Sequence, residues 1–101
     1  MVEINKTRAF LTWFEALRDD VAAARISVRI DRLAAGNPGD VKPVGSGVSE
    51  LRIAYGPGYR VYFMRRGEAL IVLLIGGDKG SQARDIKRAV EMADELRKTW
   101  K

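Results

Sequence analysis

The hydrophobic period of this chain changes from helical to alternating and back, and that change limits its possible folds more than any other feature. After an extended start over 2–5, Phe10, Trp13, Phe14 and Leu17 recur at helical spacing. Asp19 and Asp20 then offer an N-cap for a second helix carrying Ala22, Ile26, Ile30 and Leu33 on one side, and Gly36-Asn37-Pro38-Gly39 stops it. Two short helices joined tightly form an αα-hairpin. From Val41 the period becomes two: Leu51 and Ile53 alternate with Glu50 and Arg52, and Val61 and Phe63 with Arg60 and Tyr62. The stretch 69–75 is apolar without alternation, as in a central strand covered on both faces. Gly76-Gly77-Asp78-Lys79-Gly80 is expected to end that strand, and Ser81 to cap a last helix with Ile86, Val90, Ala93 and Leu96 inward. The order predicts an α+β fold in a single domain over 1–101. An N-terminal strand and a helical hairpin pack on a mainly antiparallel sheet of about four strands, and a C-terminal helix follows.

Charge narrows the partners. The net charge is +5, and the first 40 residues balance six basic against six acidic side chains. The excess therefore lies beyond residue 40, where twelve basic side chains face seven acidic ones. An anionic partner such as nucleic acid is the natural expectation, and the second part of the chain is where it would bind. There is no cysteine and no histidine. Disulfides, thiol catalysis, Cys/His zinc sites and an imidazole base are thereby excluded. No cofactor and no metal are expected. Lys6 and Arg8 precede Trp13 and Phe14 with no apolar signal-peptide core between them, and 69–75 is too short to span a bilayer. The expected setting is the cytoplasm, without a membrane partner.

The hairpin over 50–63 concentrates the chemistry. Leu51, Ile53, Val61 and Phe63 are all odd-numbered, so if they face the core, Glu50, Arg52, Arg60 and Tyr62 share the other face. An odd-length turn around Pro57 makes Arg52 and Arg60 neighbours across the ladder. Two cations so placed repel, by a few tenths to ~1 kcal/mol. A bridging phosphate relieves that repulsion, and guanidinium forks match phosphate geometry. The same pattern also fits arginines solvated on an exposed face, or paired with Glu50.

Three further motifs each have a plain structural meaning beside a functional one. The glycines at 76–80 suit either a tight turn or backbone N–H groups presented to phosphate, with Lys79 in reach. Arg25, Arg29 and Arg32 form a stripe that suits either solvent or contact with a phosphate backbone or an acidic partner. Trp13, Phe14 and Trp100 read as core, whereas Tyr55, Tyr59 and Tyr62 flank the arginines and could stack on bases.

Taken in order, Phe10-Leu-Thr-Trp-Phe-Glu-Ala-Leu17, Ala24-Arg-Ile26, Arg29-Ile-Asp-Arg-Leu33 and the stretch Gly36–Val44 resemble the addiction-module killer proteins. These are HigB-like members of the RelE/ParE toxin superfamily. Glu50-Leu-Arg-Ile53, Gly58-Tyr-Arg-Val-Tyr-Phe63 and Gly76-Gly-Asp-Lys79, with Gln82 and Asp85-Ile86, continue the resemblance.

The resemblance implies a RelE-like fold and the toxin of a type II toxin–antitoxin module. Such a toxin cuts mRNA in the ribosomal A site through attack of the 2′-hydroxyl on its own phosphate, with no metal. It implies a helix-turn-helix antitoxin as cognate partner, ribosome and mRNA as targets, and DNA contact only through the antitoxin. Its basic positions fall on Arg52, Arg60 and Lys79, with Lys79 holding the phosphate or protonating the leaving oxygen. A lysine of RelE becomes Glu50, and a tyrosine of its last helix becomes Asp85; either carboxylate is a candidate base. Tyr59, Tyr62, Lys42 and Arg84 are expected to contact RNA. A gyrase-inhibiting ParE-like toxin and a non-catalytic remnant that only binds its partner are the alternatives.

Overall fold

A computed structural model describes residues 2–100. The chain runs through a strand β1 (Glu3–Lys6), helices α1 (Arg8–Glu15) and α2 (Asp20–Ala34), and strands β2 (Val41–Gly45), β3 (Val48–Ile53), β4 (Tyr59–Arg66) and β5 (Leu70–Asp78). A 3₁₀ turn (Lys79–Ser81) leads into the last helix, α3 (Gln82–Thr99).

Side-chain caps set where the first two helices begin. Thr7 accepts the Phe10 N–H at 3.0 Å and donates its hydroxyl to the Leu74 carbonyl, tying the start of α1 to β5. Asp19 accepts from the N–H groups of Val21 and Ala22, and so starts α2. Past Ala35, Gly36 takes a positive φ of 86°, and the N–H groups of Gly36 and Asn37 close back on Leu33 and Arg32.

The strands form one five-stranded sheet in the order β1-β5-β4-β3-β2. β1 runs parallel to β5, with Glu3 opposite Leu70; all other pairs are antiparallel. Parity sorts the side chains as alternation requires. Leu51, Ile53, Val61, Phe63, Ile71 and Leu73 meet Phe10 and the inward face of α2 in one core. Val48, Tyr62, Met64, Val72, Leu74 and Ile75 meet Ala89 and Ala93 of α3 in a second. Each fully buried Leu, Ile or Phe contributes roughly 1.5–3 kcal/mol over its exposed state. The sheet is thus covered on both faces, and the even-numbered face of the hairpin is not a solvent face.

One irregularity matters for the site. Tyr62 pairs with Ile75 but Phe63 pairs with Leu73, so Leu74 is a surplus residue, a β-bulge. Leu74 and Ile75 consequently both enter the α3 core, and parity reverses beyond them.

Two expectations are corrected here. Gly76 and Gly77 do not end the strand: they lie buried within β5, opposite Val61 and Arg60. A Cβ on Gly76 would overlap the Trp13 ring, and one on Gly77 the Asp85 carboxylate, so these glycines serve close approach, not a turn. Ser81 makes no capping bond to α3. Its hydroxyl instead donates to Asp85 and accepts from the Asp78 N–H, while Asp78 accepts the Gly80 N–H at 2.8 Å.

Candidate anion-binding site

The register across β3, β4 and β5 builds the site in two rows on the α3 face of the sheet. Lys42, Glu50, Tyr62 and Ile75 stand opposite one another in the first row, and Arg52, Arg60 and Gly77 in the second. The two arginines are direct cross-strand neighbours, as parity requires.

Glu50 makes that pairing tenable. It is wholly buried, and its Oε1 accepts from Arg52 Nε at 2.9 Å and lies 3.7 Å from the Arg60 guanidinium. Its Oε2 accepts from the Tyr62 hydroxyl at 3.1 Å and from Gln82 Nε2 at 2.8 Å. Burial alone would push its pKa up. The hydrogen bonds from Arg52, Gln82 and Tyr62, with the charge of Arg60, outweigh that and hold it below the ordinary glutamate value. Glu50 is therefore held as an anion between two cations, which weakens it as a base.

The tyrosines part company. Tyr62 is fully buried, and burial together with the Glu50 charge pushes its phenol pKa up, so it stays a neutral donor. It has no ring face to offer a base, and its expected stacking role is corrected. Tyr59 is odd-numbered and packs on the opposite core, edge-to-face with Trp13 at 6.3 Å. Tyr55 donates to Asp19 Oδ2 at 3.0 Å beneath Arg25, whose guanidinium lies 4.8 Å from the ring centre.

Arg60 has capacity to spare. Its side chain is 13% exposed, and its Nε is buried without a hydrogen-bond partner. A buried guanidinium N–H left without an acceptor is a site where an anion would be favourable. Lys79 is exposed and leaves β5 beside Gly58 of the β3–β4 turn, at the same end of the sheet as Arg52 and Arg60. Lys42 is exposed on the edge strand, opposite Glu50. Arg84 is almost wholly in solvent, 3.9 Å from the buried Asp85. Asp85 in turn sits over Gly77, one strand away from Arg60.

Gln82 joins the cluster although the candidate site residues did not include it. Only its position in the first turn of a helix covering the hairpin's second face could have revealed its reach to Glu50. Of the arginine stripe on α2, Arg29 is structural: it donates to the carbonyls of Arg52, Pro38 and Asp40, and so fastens the helix to β3.

Comparison with known proteins gives matches over most of the chain. A Haemophilus influenzae protein described only as an uncharacterized protein is 46% identical over 95 residues, covering 94% of this chain and 96% of that protein. Residues 12–98, which run from within α1 to the last turn of α3, match the family described as phage derived protein Gp49-like (DUF891). The chain belongs to the phage-derived Gp49-like family.

Proposed function

We propose that the chain is the toxin of a type II toxin–antitoxin module and acts as an endoribonuclease on mRNA held by the ribosome. The observation that carries this reading is the Arg52–Arg60 pair, poised on a buried Glu50 with an Arg60 N–H unspent. The resemblance to RelE/ParE toxins, the net charge of +5 and its concentration beyond residue 40 support it.

In the proposed reaction the RNA 2′-oxygen forms a bond to the adjacent phosphorus and the bond to the 5′-oxygen breaks. Negative charge builds on the phosphorane as this happens. Arg52 and Arg60 stabilise that charge from fixed positions, which needs no reorganisation at the moment of reaction. Lys79 approaches from the end of β5 to neutralise the phosphate or hand a proton to the leaving oxygen. Glu50 and Gln82 orient the guanidinium groups, and Asp85 is the carboxylate to test as base. Lys42 and Arg84 would extend the contact to neighbouring phosphates. A helix-turn-helix antitoxin encoded beside the toxin would neutralise it, and the setting would be cytoplasmic.

The test is ribosome-dependent cleavage of a defined mRNA by the purified protein and by Arg60→Ala. We expect discrete cleavage by the first and about a hundredfold slower cleavage by the second. Full-rate cleavage by Arg60→Ala would overturn the site. Intact mRNA with the unaltered protein, or growth arrest accompanied by DNA damage, would overturn the function.

A further inference from the structure

The outer side of α2 is built against its own exposure. Its inward face, Ala22, Ile26, Ile30 and Leu33, is spent on the first core. Yet Val21 and Val28 on the outside are 52% and 46% exposed, large apolar side chains in water. Valine is not there for the helix, since β-branching lowers helix propensity. Val21, Ala24 and Val28 follow one another at helical spacing, and with Ile53 and Ala54 at the end of β3 they floor an open groove of about 570 Å³. Arg25, Arg29 and Arg32 edge the groove, against a single acid, Asp20.

Two of the three arginines are held in place before anything binds. Arg29 is pinned by the carbonyls of Arg52, Pro38 and Asp40, and Arg25 lies over a Tyr55 ring that is itself held by Asp19. Side chains already held lose little freedom on binding.

We propose that this groove is the docking site for an acidic amphipathic helix of another protein. The apolar floor matches the apolar stripe of such a helix, and the arginines match carboxylates on its flanks. A nucleic acid fits the floor poorly: it is aliphatic, and the nearby aromatic, Tyr55, is already covered by Arg25. The groove lies on the α2 side of the sheet, whereas Arg52 and Arg60 lie on the α3 side, so the inference does not depend on the nuclease reading.

The experiment uses a fluorescent synthetic helix of about five turns with leucines along one stripe and glutamates beside it. A twin with lysine in place of glutamate, and a single-stranded RNA oligomer, serve as comparisons. Anisotropy should show the glutamate peptide binding and the lysine twin not binding. Val28→Glu and Arg32→Glu should each weaken binding about tenfold or more, with unchanged thermal melting because both side chains are exposed. No binding of the glutamate peptide, equal binding of the twin, indifference to Val28→Glu, or displacement of the peptide by the RNA would each overturn the proposal.

Discussion

Glu50 shows how far a single side chain can be read from its neighbours. Parity alone puts it on one face with Arg52, Arg60 and Tyr62, and the register sets the four there as two adjacent cross-strand pairs. Its complete burial was hidden, because alternation with polar residues looks the same whether the polar face meets water or a second layer. Its role follows from burial. Replacing Glu50 with alanine leaves two facing arginines without their anion, so stability should fall by about 2–4 kcal/mol in urea unfolding. That is below the full range for a buried pair, because Arg52 keeps 31% of its side chain in solvent. The pH dependence has a definite sign. A carboxylate with a depressed folded pKa contributes stability above its unfolded pKa of about 4.3 and loses it as pH falls through the folded value. The native protein should therefore weaken below about pH 4 relative to neutral, and Glu50→Gln should flatten that limb of the profile. An unchanged acid limb in the variant would mean that Glu50 is not the linked group.

At the scale of elements, helices and strands were legible to within a few residues because their periods are distinct. The Gly76–Gly77 pair was not, since a glycine required by an approaching side chain looks the same in sequence as one required by a turn. Only the packing separates the two: α1 brings Trp13 onto Gly76, and α3 brings Asp85 onto Gly77. Gly77→Ala should lower stability by about 1–3 kcal/mol by forcing the start of α3 outward. Asp85→Ala in the same molecule should recover part of that loss, because the overlapping carboxylate is gone. Strict additivity of the two changes in a double-mutant cycle would exclude the contact as the cause. Ser81 teaches a similar lesson: its position suited a cap, but a nearby buried acid outcompeted the helix N-terminus for its hydroxyl.

For the whole molecule, the excess of positive charge gives the proposed RNA contact a measurable signature. With Arg52, Arg60 and Lys79 each engaging a phosphate, binding to single-stranded RNA should weaken with salt at a logarithmic slope of about −2. Arg60→Ala should make that slope shallower by about 0.7, and a slope unchanged by the substitution would remove Arg60 from the interface. The connectivity has a consequence for the order of events in the cell. β1 is the first strand synthesised, yet its parallel partner is β5, and the clamp on Glu50 is completed by Gln82 on the helix that follows. A nascent chain holds neither a closed sheet nor a finished arginine pair until β5 and the start of α3 have emerged. Closure of the sheet and of the Glu50 cluster therefore waits on the same stretch of chain, and the two should appear together as the protein is made.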